Sequence, residues 1–325
     1  MNDQMQPSDR VYVAGHRGLV GSALVRRLRA GGYTNIITRT HSELDLADQA
    51  AVNKFVASEQ PDCILLAAAK VGGIWANDTR PADFIYQNLT IQGNVVHAAY
   101  RSGVKKLLFL GSSCIYPRDA PQPMREDYLL TGPLESTNEP YAIAKIAGIK
   151  MCWAFNRQYS TNYLSVMPTN LYGPGDNYNL ETSHVLPALI RKTHEAKRLR
   201  KSAVEVWGSG KPRREFLYSD DLADACIFLM ERFDASQVGE CINIGAGEDI
   251  TIAELARTVA NVVGFEGDLV FDPSKPDGTP QKLLDVRKLS ALGWRPTVGL
   301  ADGIRRSYSD FLVSEPHASP FPAHT

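Results

Sequence analysis

The chain has 325 residues and a formal net charge of −1, enough length to bury a large core in two lobes rather than one. The even charge balance argues against a nucleic-acid binder, and the basic run over residues 191–201 reads as a solvated helix face with one or two contacts to spare for a small anion. Five scattered cysteines without a CxxC pair argue against metal binding and disulfides and suit a reducing cytoplasm, and no apolar stretch is long enough to span a bilayer.

In chain order, the polar first nine residues read as a loose end and not as a secretory leader. Val11 to Ala14 is a short apolar run ending at a glycine, as a buried parallel strand would. The glycine turn of residues 15–21 follows, then a helical pattern through Leu24 and Leu28 closed by Gly31 and Gly32. Residues 35–38, 63–69, 106–110 and 163–167 read as further strands with helical spacing between them. Strands alternating with helices predict an α/β fold, a doubly wound parallel sheet of the Rossmann type with a smaller α/β substrate-binding lobe. Gly15, Arg39, Ala69, Ser112 and Thr169 fall at carboxyl ends of strands, where such sheets bind ligands.

The second half is less regular. Residues 216–218 and the helix after them read as one more strand-helix unit returning to the sheet, and residues 241–244 as another short strand. Thr251 and Glu254 have capping-box spacing at the start of a helix that ends at Gly264. Residues 272–280, rich in Pro and Gly, read as a loop at the mouth of a site, and the tail after Ser314 as a second loose end. The expected division is a cofactor domain over 1–172, completed by about 215–245, with 173–214 and 246–325 forming the substrate lobe.

Gly15, Gly18 and Gly21 follow a strand and open a helix, the context in which a glycine fingerprint signifies a dinucleotide site. Gly15 suits the tight turn, Gly18 close backbone approach to a pyrophosphate, and Gly21 helix-on-strand packing. His16, Arg17, Leu19 and Val20 complete the turn. The second strand ends without the carboxylate that an NAD site uses, and Arg39 stands there instead, with Arg17 as a second charge. A 2′-phosphate, and hence NADP(H), is favoured, with Asp45 and Leu46 beside the adenine.

Tyr141 and Lys145, four apart, share a helix face. An ammonium there favours phenolate and lowers the tyrosine pKa, as an acid protonating a nascent alkoxide requires. With Ser112 and the 15–21 turn, whose Gly-x-x-Gly-x-x-Gly spacing is the short-chain dehydrogenase/reductase variant, they resemble the Ser-Tyr-Lys set of the extended branch of that family. The resemblance implies Tyr141 as acid, Lys145 holding the nicotinamide ribose, and Ser112 orienting a carbonyl.

Longer blocks, residues 67–74, 81–88, 108–117, 138–148, 167–174 and 274–280, are similar to the GDP-L-fucose synthase family. Its members epimerise C3 and C5 of GDP-4-keto-6-deoxy-D-mannose and then reduce C4 with NADPH. Carried over by motif, Cys114 is the epimerisation base and His184 the acid, a thiol and an imidazole suited to proton transfer near neutral pH. The same resemblance places Pro168, Thr169, Asn170, Leu171 and His184 by the cofactor. It assigns Asn170, Lys192, Trp207, Arg214 and Lys282 to the GDP-sugar, and a homodimer is the usual assembly. Kept open are a sibling acting on another GDP-4-keto sugar of colitose or heptose type, an NAD-retaining 4-epimerase or 4,6-dehydratase, and a non-catalytic nucleotide sensor.

Overall fold

A computed structural model describes residues 4–275 and 277–314, with only the backbone of Ile74. The expected tail after Ser314 lies outside the described residues, as do residues 1–3 and Pro276. The segment over residues 4–9 is not loose: Met5 is buried and its N–H donates to Met230 O at 3.0 Å.

Six parallel strands form the main sheet: β1 (Val11–Ala14), β2 (Ile36–Ile37), β3 (Cys63–Leu66), β4 (Lys106–Leu110), β5 (Tyr163–Pro168) and, further along the chain, β10 (Ile242–Ile244). Their order is β10-β5-β4-β3-β1-β2. The chain thus reverses its direction of travel across the sheet at β1, with β2 on one side and β3 on the other. Alternation along β1 sends Val11 and Val13 to one face and Tyr12 and Ala14 to the other. The first face is covered by α1 (Leu19–Ala30) and α7 (Ser219–Arg232). On the second lie α2 (Gln49–Glu59), α4 (Pro81–Arg101), entered through the short α3 (Ile74–Thr79), and α5 (Glu139–Tyr159).

The remaining strands are short. β6 (Asn170–Tyr172) pairs with β9 (Phe216–Tyr218), β7 (Ala203–Trp207) with β12 (Asp268–Asp272), and β8 (Arg213–Arg214) lies between β11 (Ile250–Thr251) and β13 (Gln281–Lys282). With α6 (Val185–Arg198), α9 (Ile252–Val263) and α11 (Leu300–Ser314) they enclose a separate apolar core around Leu189, Val206, Phe216, Leu255 and Phe311. The short α8 (Ala235–Val238) and α10 (Arg287–Ala291) both contribute to the core on the first face of the main sheet. The capping box of Thr251 and Glu254 is present, and α9 ends on Gly264 in the left-handed conformation.

One expectation fails. Residues 216–218 do not return to the main sheet; the place beside β5 is taken by β10, in the register Ile242 to Val166. β9 is held beside β6 because Glu215 O accepts from Asn170 Nδ2 at 2.8 Å and from Thr169 Oγ1 at 3.2 Å. The helix that follows does pack against α1 and the sheet.

Candidate active site

A cleft of about 1010 Å³ opens at the carboxyl ends of β1 to β5. It is lined by Gly15, Gly18, Leu19, Val20 and Gly21, by Arg39, Asp45 and Leu46 after β2, by Ala69 after β3 and Ser112 after β4. Tyr141 and Lys145 of α5, Pro168, Thr169, Asn170 and Leu171 around the end of β5, and His184 complete it. His16 and Arg17 do not line it: the Nδ1 of His16 is buried, and Arg17 is exposed.

The turn after β1 is shaped for an approaching ligand. Gly15 has φ +83°, and a Cβ there would lie 2.8 Å from the Ala68 backbone, where the chain after β3 crosses the turn. A Cβ on Gly21 would sit 2.0 Å from Gly15 O, so only glycine lets α1 start so close to the turn. Gly18 caps α1 with no side-chain hydrogen bond, which leaves first-turn N–H groups as an anion site. At the far end Arg39 donates from Nη1 to Thr38 O at 2.8 Å and from Nη2 to Glu59 Oε1 at 2.5 Å. Backbone donors at one end and a guanidinium at the other fit a dinucleotide carrying a 2′-phosphate.

Ser112 follows β4, and its hydroxyl accepts from Cys114 N–H at 3.4 Å. Across from it stands Tyr141, in edge-to-face contact with Phe84 at 6.2 Å between ring centres. Burial pushes the Tyr141 phenol well above its ordinary range; the Cys114 thiol adds to this, and a hydrogen bond from Ser112 opposes it. Lys145 does not lower the Tyr141 pKa as expected. Its Nζ donates to Leu110 O at 2.8 Å, lies 5.8 Å from the Tyr141 ring, and has its own pKa pulled down to about 8 by burial. Here desolvation dominates both groups.

Cys114 is buried and lies behind Ser112 and Ser113, outside the cleft lining. Burial raises its thiol pKa, while Ser112, Lys282 and Lys145 pull it back down. His184 occupies the N-cap position of α6 without capping it and reaches the cleft. The residue is exposed to solvent, yet the protein atoms around its imidazole lower its pKa and so favour the neutral ring.

Lys192 of α6, Trp207 of β7, Arg214 of β8 and Lys282 of β13 lie outside the cleft lining. Trp207 is 57% exposed and is no core residue. Its ring has Lys192 Nζ at 5.1 Å and Lys275 Nζ at 5.5 Å, and its Nε1–H donates to Glu205 Oε1 at 3.1 Å. Arg214 and Lys282 are register partners on β8 and β13, so they share a face, and burial lowers both pKa values. Lys282 acts electrostatically on both Arg214 and Cys114 and so joins this cluster to the thiol.

Several residues here carry no local sequence signal. Glu59 holds Arg39 from twenty residues away. Lys275 flanks Trp207. Glu215 is fully buried and accepts from Gly247 N–H at 2.7 Å and Leu284 N–H at 3.0 Å, tying β13 to the strand ends beside the cleft. Asp176 lines the cleft with one carboxylate oxygen buried and unpartnered among the described residues, and burial pushes its pKa up to about 7. For Glu215 a hint existed: an acid between two strand segments, directly after two arginines.

Residues 11–245 match the family model of the NAD dependent epimerase/dehydratase family, and the chain belongs to that family. It is 59% identical over 305 residues to GDP-L-fucose synthase 1 of Arabidopsis thaliana, covering 94% of each chain. To the GDP-L-fucose synthase of Escherichia coli strain K12 it is 56% identical over 312 residues, 94% of this chain and 97% of that one. A solved GDP-L-fucose synthetase from Naegleria fowleri bound to NADP superposes with a TM-score of 0.89 at 30% identity, covering 97% of this chain and 96% of the other. Within the wider family, the chain is a member of the GDP-L-fucose synthases.

Proposed function

We propose that this chain converts GDP-4-keto-6-deoxy-D-mannose to GDP-L-fucose, inverting C3 and C5 and then reducing the C4 ketone with NADPH. The arrangement of Ser112, Cys114, Tyr141 and Lys145 carries the reading: Ser112, Tyr141 and Lys145 line the cleft where a ketone would lie, and the buried Cys114 thiol is electrostatically coupled to Tyr141 and Lys145. NADPH supplies the hydride. The first-turn N–H groups of α1 would hold its pyrophosphate and Arg39 its 2′-phosphate. Lys145 would take the nicotinamide ribose, and Asn170 would stand beside the ring.

Protons on carbons flanking a ketone are acidified because the carbanion delocalises into the carbonyl. Ser112 and Tyr141 hydrogen-bond that oxygen while charge develops on it, and Tyr141 then delivers its proton to O4. The raised Tyr141 pKa keeps the phenol protonated and ready to donate. Cys114 and His184 exchange protons with C3 and C5. Cys114 as base needs a thiolate, which Lys145 and Lys282 favour and burial opposes. His184 as acid needs an imidazolium, which its crowding disfavours. Trp207 would stack on the base, and Lys192, Arg214 and Lys282 would neutralise the diphosphate.

We assign 1–172, completed by about 215–245, to cofactor binding, and 173–214 with 246–325 to the nucleotide sugar. The two cores flanking the main sheet and the third core around α9 support this division, although α10 packs with the cofactor half. Exposed Tyr86 and Leu89 on α4 and Ile143 on neighbouring α5 support a homodimer through these helices. Five free cysteines support a cytoplasmic location. Among the described residues no helix is long and apolar enough to cross a membrane.

The test is to supply the keto sugar and NADPH and identify the product by NMR. GDP-L-fucose with stoichiometric NADPH oxidation supports the assignment. A C4-reduced sugar that keeps its C3 and C5 configurations would identify a simple reductase, and no oxidation at all would overturn the reading.

A further inference from the structure

The last turn of α2 grips Arg39 in two ways. The Phe55 ring lies under the guanidinium, 5.2 Å from Cζ to the ring centre, and Glu59 one turn later accepts from Arg39 Nη2 at 2.5 Å. The other Glu59 oxygen accepts from Arg10 Nη2 at 2.9 Å. Glu59 is the final residue of α2, where the helix dipole disfavours a carboxylate, so its two arginines stabilise it there. Arg39 has five N–H donors, of which this bond and the one to Thr38 O use two, and the residue lines the cleft.

We propose that Glu59 is a specificity-determining residue for the cofactor. It fixes the Arg39 guanidinium at the cleft while cancelling part of its charge, and Arg10 in turn draws off part of the Glu59 charge. Preference for a 2′-phosphate over a 2′-hydroxyl is then set by the Arg10–Glu59–Arg39 chain rather than by Arg39 alone. A ligand with a 2′-phosphate brings a second anion to the guanidinium, and Glu59 repels it. A ligand with a 2′-hydroxyl feels almost none of this. The inference rests on the reading that Arg39 receives the phosphate.

Glu59→Gln separates the two effects, since the amide oxygen keeps a hydrogen-bond acceptor for Arg39 and loses the charge. Direct titration of the full chain by calorimetry, at low and high ionic strength, gives NADPH and NADH dissociation constants without turnover. In Glu59→Gln at low salt, NADPH binds about fivefold more tightly while NADH stays within about twofold, and the gain shrinks as salt screens it. Arg10→Gln shifts NADPH the other way, because it leaves the whole Glu59 charge on Arg39, and thermal melts confirm that both variants fold. Unchanged or weaker NADPH binding in Glu59→Gln, or equal tightening of both cofactors, overturns the proposal. So does the same gain in an Arg39→Ala background. If Arg39→Ala alone leaves the NADPH preference intact, the assignment of Arg39 fails instead. If that variant erases the preference and Glu59→Gln shifts nothing, only the role of Glu59 is lost.

Discussion

Around the cleft, the ends of five parallel strands and the 15–21 turn offer a ligand much backbone, shaped by glycines and backed by two cores. On the other side, Lys192, Trp207, Arg214 and Lys282 present side chains from α6 and from strands of two to five residues, over a separate core. A backbone site tolerates little change in shape and much change in neighbouring side chains. A side-chain site behaves in the reverse way. Tyr141 lines the cleft and is coupled to the Cys114 thiol, which Lys282 of the other region also influences.

Changes can be chosen to break this contrast. Tyr141→Phe removes the proton donor and lowers the reduction rate by about 10²- to 10⁴-fold. NADPH affinity measured by titration stays near that of the parent, and undiminished turnover would exclude Tyr141 as the acid.

Gly21→Ala tests the backbone side. Its Cβ would collide with Gly15 O, so about 1–3 kcal/mol of stability is lost in urea unfolding and NADPH binding weakens with it. Trp207→Ala tests the other side: KM for the sugar nucleotide rises about tenfold, while NADPH affinity and the urea midpoint stay put. If Trp207→Ala weakened NADPH as much as the sugar nucleotide, the two regions would not be separable.

Acidity sharpens the comparison further. Lys145 has a pKa near 8, so its charge, and reduction with it, declines above that pH. Exchange of C3 and C5 protons into deuterated water rises toward alkaline pH if the Cys114 thiolate is the base, because burial raises the thiol pKa. Flat exchange there assigns the base to His184.

The smallest effect concerns Asp176. Its folded-state pKa, about 7, lies above the reference 3.8, so its contribution to stability is full below the reference value and lost as pH rises through 7. Asp176→Asn cannot ionise. Its melting temperature exceeds the parent's at about pH 8, and the difference vanishes toward about pH 4. An equal gain at both pH values would show that ionisation is not the cause.

The residue series alone determined the alternation of strands and helices, the glycine turn, and the grouping of Ser112, Tyr141 and Lys145 at one end of the sheet. These features are local: a strand followed by Gly15, or two side chains four apart on a helix, is set by neighbours in the chain. Residues 106–110 were legible as a strand to the residue, because β4 is buried along its whole length and apolar after Lys106. Tertiary structure alone decided that β9 leaves the main sheet for β6, that Lys145 turns to Leu110 O, and that Arg10 and Arg39 share Glu59. Each of these depends on partners distant in the chain and on how much water is excluded around them. Desolvation and long-range pairing arise only once the chain has closed on itself, and no local pattern encodes them.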